Sequence, residues 1–192
     1  MPVVHGFDPP ERFVAGTVGE PGARTFFLQA RTGPRLVSVS LEKQQVAALA
    51  ERVDELLDEV MASEGGAATV PAVAPLALDD NAPLEQPIDE QFRAGTMTLS
   101  WDPDGDRVVI EVFPFSEAAV VSPEQVDEDF EEPEPEEVLM VRLPAGHARA
   151  FAKRAEAVIG AGRPSCPFCG NPIDPDGHLC VRANGFRRRD PV

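Results

Sequence analysis

Apolar residues recur along this chain at two periods, and the switches between them mark out its elements. Arg12–Val18 and Thr25–Ala30 are β-branched and aromatic runs on either side of Gly19-Glu20-Pro21-Gly22, a turn signal. Arg35–Leu41 sets Leu36, Val37, Val39 and Leu41 among polar neighbours near period two. From Glu42 to about Met61 the period lengthens. Val46, Leu49, Ala50, Val53, Leu56, Leu57 and Val60 follow the i, i+3, i+4, i+7 rule, with Glu51, Asp54, Glu55, Asp58 and Glu59 opposite. The same succession returns later: Gly95–Trp101 and Arg107–Phe113 around Asp102-Pro103-Asp104-Gly105-Asp106, then Val138–Leu143, then a helix from Pro144 to about Ile159. Ala148, Phe151, Ala155, Val158 and Ile159 form its stripe, and Pro144 suits a first turn, where its missing N–H is not needed.

The two successions share residues. Phe13-Val14-Ala15-Gly16-Thr17 matches Phe92-Arg93-Ala94-Gly95-Thr96 at an offset of 79, and Leu41–Leu57 matches Leu143–Ile159 at an offset of 102. In the second match Ala48, Ala50 and Arg52 recur as Ala150, Ala152 and Arg154. Two matches in the same order indicate duplication. A helix with one apolar face must bury it, and the simplest solution lays each helix on the strands of its own copy. The expected fold is therefore α+β: two βββα repeats related by a pseudo-twofold, with about six mostly antiparallel strands, two helices and a C-terminal zinc knuckle. The expected boundaries are 1–62 and 92–162 for the repeats, 63–91 for a Pro/Ala-rich linker, and 163–192 for the knuckle and a basic tail. Pro71, Pro75, Pro83 and Pro87 break regular structure in the linker, which Val73, Leu76 and Leu84 could pin.

Charge changes this picture in one place. The net charge is −16, and ten acidic residues with no Lys or Arg fall between Ser116 and Glu137. That stretch, with Pro123, Pro133 and Pro135, reads as an acidic loop inserted in the second copy. The balance argues against a body that binds nucleic acid generally. The tail reverses sign at Arg182, Arg187, Arg188 and Arg189, leaving room there for a phosphate or an acidic partner. No run of about 18 apolar residues could span a bilayer, and Met1–Pro10 lacks a signal-peptide pattern. A cytoplasmic protein with no membrane association is expected.

All three cysteines lie within fifteen residues. Clustered with a histidine in a cytosolic chain, they read as metal ligands rather than a disulfide framework. Cys166-Pro167-Phe168-Cys169-Gly170 places two thiolates on one side of a tight loop. Asp174-Pro175-Asp176-Gly177 then returns the chain to His178-Leu179-Cys180. Cys166, Cys169, His178 and Cys180 make a Cys₃His set, a closed structural type for zinc. The spacing departs from a typical ribbon, with one residue instead of two between the last pair. Residues two apart in a strand lie roughly 6.6 Å apart, so a shared metal needs a bend there. A thioredoxin-like redox pair is the rival, but no helix pattern follows the CxxC and Pro172 intervenes.

Other candidates weigh less. Asp102–Asp106 has its glycine misplaced for a calcium loop and Phe113 at position twelve, which favours a hairpin turn. Gly16 and Gly95 read as strand bends or close packing rather than a phosphate loop. Trp101 reads as core or rim, His147 as an exposed polar residue near a helix start, and His5 as a terminal residue with nothing to pair it. No nucleophile–base set or pair of carboxylates stands out, so no catalytic residue is assigned.

The run Phe7-Asp8-Pro9-Pro10-Glu11-Arg12-Phe13-Val14-Ala15-Gly16-Thr17 resembles an actinobacterial family of unknown function, DUF3090. So do Arg24-Thr25-Phe26-Phe27-Leu28-Gln29-Ala30, the helix Gln44–Leu57 and Gly162-Arg163-Pro164 before the cysteines. The resemblance covers nearly the whole chain. It implies a cytoplasmic bacterial protein and no particular activity.

Two functions from different classes fit. The first is a non-enzymatic, zinc-containing interaction protein, whose knuckle presents Phe168, Phe186 and the arginines to another protein. The second is an enzyme or small-anion-binding protein, with a groove between the repeats where His147, Arg52 and Arg154 could meet an anion. The plainer account of those arginines is pairing with acidic residues on the helix surface. Nucleic-acid contact through the zinc tail is a weaker third.

Overall fold

The computed structural model describes residues 1–63, 69–116, 135–162 and 166–171, together with 173, 178 and 180. The acidic residues 117–134 and the tail 181–192 lie outside the described residues. Seven strands form one mixed sheet: β1 (Val3–Phe7), β2 (Arg12–Val18), β3 (Thr25–Thr32), β4 (Arg35–Leu41), β5 (Glu90–Asp102), β6 (Arg107–Pro114) and β7 (Glu137–Pro144). The two helices are α1 (Lys43–Ala62) and α2 (Ala145–Gly160). Five strands and both helices follow the expected ranges closely, because period two and period 3.6 bury different faces, whereas β5, expected over Gly95–Trp101, begins at Glu90, inside the expected linker.

The strand order is β1-β7-β6-β5-β4-β3-β2. Neighbours are antiparallel except for β4 with β5 and β1 with β7. Since β2 runs with β4 and β4 runs with β5, both halves of the sheet point the same way. The order of elements is β2-β3-β4-α1 and then β5-β6-β7-α2. However, neither helix keeps to its own half. Helix α1 lies near β5, and α2 lies against β2 as well as β7 and β6. The expectation that each helix covers its own strands is corrected. Each reaches the first strand of the other half: α1 continues from β4, which pairs with β5, and α2 leaves β7 and packs on β2 as well as on its own β6 and β7.

The seventh strand, β1, is too short to show a clear period. It pairs in parallel with β7, Val3 opposite Glu137 through Phe7 opposite Val141. His5, expected to stand alone, accepts or donates a 2.8 Å contact with Glu137, whose carboxylate also takes an N–H from Gln91. Strands β1 and β2 are opposite edges of the sheet, yet only residues 8–11 join them. Six flat strand spacings would separate the edges by roughly 29 Å. Five residue steps reach about 18 Å at most. The sheet therefore curls, and α2, which follows β7, packs on the β2 edge. Phe13 of β2 stacks on Phe151 of α2 with ring centroids 4.6 Å apart.

One continuous core fills the concave side. Leu28, Val39, Ile110, Leu139, Val46 and Phe151 are among its fully buried side chains. Arg149 is buried between the helices. It donates to Asp54 and Asp58 of α1 and to the Pro71 carbonyl.

The repeated glycines serve close packing, each against a different neighbour. A Cβ on Gly16 would meet the Leu84 side chain at 2.5 Å, whereas one on Gly95 would meet the Pro114 and Phe115 backbone at 2.8 Å. Strand β5 changes partner here: residues up to 93 pair with β4, later ones with β6, and the register shifts between Ala94 and Met97. A side chain can yield more easily than backbone held by the Phe115 N–H to Arg93 carbonyl bond. We expect Gly95→Ala to destabilise by about 2–3 kcal/mol and Gly16→Ala by about 1 kcal/mol, read from denaturant midpoints.

The connector between the halves is pinned differently from expectation. Val73 and Leu76 are exposed, at 75% and 82%, while Leu84 and Val70 are buried. Leu84 packs with Val14 and Phe27 on the convex face. Most of the anchoring is polar. The Gln29 amide pairs with the Glu85 backbone in both directions. Arg12 and Arg154 both donate to the Asp80 carboxylate and to the Ala82 carbonyl. Arg154 also donates to Ala15 O, capping the open edge of β2. The Arg12 hydrogen bond holds Asp80 below its ordinary carboxyl range, against the opposing effect of burial. A depressed carboxylate stabilises the fold above its unfolded pKa, and that contribution is lost as pH falls through the folded value. Asp80→Asn should therefore be less stable than the wild type at neutral pH, and the gap in melting temperature should narrow below about pH 4.

Candidate metal centre

Beyond α2 the chain turns on Cys166–Gly170. The Gly170 N–H donates to the Cys166 carbonyl and the Cys166 N–H to the Asn171 carbonyl, both at 2.8 Å. Gly170 has φ +76°, a left-handed conformation that glycine adopts without a Cβ penalty. This closure points Cys166 and Cys169 to the same side. His178 and Cys180 reach them, so the four expected side chains come together despite the one-residue gap. Their potential ligand atoms all lie within 4.8 Å of one another. Cys166 Sγ is 3.8 Å from Cys180 Sγ, and Cys169 Sγ is 3.2 Å from His178 Nε2.

These separations suit a cation. Zn–S bonds of about 2.3 Å in a tetrahedron place sulfurs roughly 3.8 Å apart. A disulfide needs about 2.05 Å, and none of the three cysteines is joined in one. Cys166 and Cys180 are buried, while Cys169 is half-buried. Backbone hydrogen bonds, from Cys169 foremost and then Phe168, draw the Cys166 thiol down to about 7 against the effect of burial. Cys169 shifts the other way. A backbone bond involving Asn171 lowers it, but burial and the neighbouring thiols outweigh that bond. Such a set of three sulfurs and an imidazole could hold a metal ion, and zinc is a plausible one.

The remaining sequence candidates do not assemble into a second centre. Arg52 is exposed and pairs with Glu55 three residues on, so it does not meet Arg154 or His147. Arg154 and His147 do share one cleft, beside Arg12 and Phe13. Asp102 accepts from the Asp104 and Gly105 N–H groups and pairs with Arg142, as a hairpin turn requires and a calcium site does not. Trp101 is partly buried against the core rim. Sequence reading missed the connector's anchors, Arg149 and Lys153. The available signal was their acidic partners: Lys153 holds Asp79 at 2.6 Å, and Asp79 and Asp80 stand together in a connector that has no Lys or Arg.

No helix among the described residues is long and apolar enough to cross a membrane. No curated protein and no solved structure matches the chain. One family model does, described as a protein of unknown function (DUF3090), and it matches residues 5–180. The matched span runs from the β1 histidine through both helices to the last cysteine of the cluster, and the chain belongs to the DUF3090 family.

Proposed function

We propose that this protein is a non-enzymatic interaction module whose C-terminal segment is folded by one structural zinc ion, held by Cys166, Cys169, His178 and Cys180. The observation that carries the reading is the convergence of four ligand atoms within 4.8 Å. Three thiolates and one imidazole satisfy a tetrahedral zinc completely and leave no open position for water or substrate. When bound, the ion supplies folding energy to a segment too short to bury a core. Three cysteines with no disulfide among them suit a reducing, cytoplasmic compartment.

The partner in this reading is another protein. Phe168 lies between the first two ligands and is 64% exposed, a large apolar ring for a segment of this size. Phe186 and the arginines of the tail would extend the same contact. The domain boundaries at 62, 91 and 162, and the origin of both halves in one duplicated unit, belong to this reading too. The matched order of elements and the inward placement of Phe13 and Ala15, and of Phe92 and Ala94, support them.

Affinity capture tests the role. Full-length wild type, Cys169→Ser and His178→Ala serve as bait in parallel. Proteins retained by the wild type and lost from both variants are the expected result. An identical set on all three baits defeats the interaction role, whatever the metal content.

A further inference from the structure

The gap between the sheet edges holds a cleft of about 130 Å³. Positions 147, 150, 151 and 154 of α2 line it, at i, i+3, i+4 and i+7, so one face of a single helix turns toward β2. Phe13, Leu143, Ala150 and Phe151 give it an apolar floor, and Leu78 and Asp80 of the connector close one side.

Its polar rim has donors to spare. His147 is exposed and has no hydrogen bond or ion pair among the described residues. The Arg154 guanidinium has five N–H donors. Four are engaged, by Ala15 O, Asp80 O, Asp80 Oδ1 and Ala82 O, which leaves one on Nη2. The nearby carboxylates are already satisfied. Asp80 is shared between Arg12 and Arg154, and Glu11 is held by Arg31 at 2.5 Å.

We propose that this cleft binds a small monocarboxylate with an apolar or aromatic body, its body on Phe13, Leu143 and Phe151 and its carboxylate at His147 and Arg154. Size limits the ligand, since an apolar cavity of roughly 150 Å³ holds one benzene ring. Charge limits it further. Asp80 and Glu11 line the cleft and disfavour a dianionic phosphate, whereas a single carboxylate can take the one remaining Nη2 N–H of Arg154 and an N–H of His147. The site is independent of the zinc reading, and Arg52 takes no part in it.

Titration of the full-length protein with benzoate tests the proposal, with benzyl alcohol as a neutral analogue of similar shape. One saturable site with a dissociation constant on the order of 1 mM or tighter is expected, and about tenfold weaker binding of the alcohol. His147→Gln, an exposed change, should weaken benzoate at least threefold. Ala150→Phe fills the cleft and should abolish binding. Absence of saturation by about 20 mM overturns the proposal. So does equal binding of the alcohol, or wild-type affinity in folded Ala150→Phe, which would put the molecule elsewhere. If Ala150→Phe does not fold, unchanged affinity in His147→Gln overturns it instead.

Discussion

Removing zinc is expected to unfold the C-terminal segment while leaving the sheet and its two helices intact. Each ligand in the cluster depends on the others. Cys166 and Cys169 sit on one short turn, and His178 and Cys180 meet them only at the metal position. Zinc binding to small peptides contributes on the order of 10 kcal/mol or more near neutral pH, larger than any other single term available to so short a segment. The body does not share this dependence, because its core is assembled from strands and helices before residue 160. The purified protein should carry one zinc per chain. Cys166→Ala or His178→Ala should lose most of it. Under a strong chelator, limited proteolysis should cut after α2, while the melting transition of the body moves by no more than a few degrees. A body that melts together with metal loss would show that the knuckle is part of the core, contrary to the reading above.

Phe151→Ala is expected to be the most damaging single change within the body. Phe151 is 2% exposed and stacks on Phe13 across the sheet's gap. Truncating a buried phenylalanine costs about 3–5 kcal/mol, through lost burial and the cavity left behind. Its ring partner adds roughly 0.5–1.5 kcal/mol. Position matters here as well as size. The edges β1 and β2 are not paired with each other, and α2 is the helix that packs on β2 as well as on β6 and β7. A fall in melting temperature of about 10 °C is expected, measured by calorimetry. Phe13→Ala should cost less than this, because Phe13 is 8% exposed, and the double variant should fall short of the sum, since the two rings share one contact. Full additivity would mean that the stacked pair does not couple helix to edge.

The helices and the strands β6 and β7 were legible because each buries mainly one face, which leaves its period in the sequence, while β2, β3 and β4, buried on both faces, show instead as β-branched and aromatic runs. Val46, Leu49, Ala50, Val53 and Leu57 identify α1 without any structure, and all five are buried. The clustering of the three cysteines with His178 was legible for a different reason. Thiols and imidazole at ligand spacing have few other uses in a chain this short of cysteine, and the spacing places the turn as well as the ligands. His5 and β1 were not legible, since five residues of an edge strand bury too little to show a period. The connector was read only in part: of the apolar residues expected to pin it, Leu84 does so, packed on Val14 and Phe27. Val73 and Leu76 face outward, and the attachment instead uses Arg12, Arg149, Lys153 and Arg154. Ion pairs across more than sixty residues leave no local pattern.

By itself, then, the sequence determined the local elements, the family and the four clustered Cys and His residues, all set by residue type and short-range spacing. Only the tertiary structure decided which helix crosses to which strand, that the sheet curls until its edges face α2, and that His147 and Arg154 share a cleft while Arg52 does not. Those outcomes depend on chain connectivity and on burial summed over distant segments. Four residues joining opposite edges of a seven-stranded sheet constrain the fold strongly, but the constraint exists only once the strand order is known.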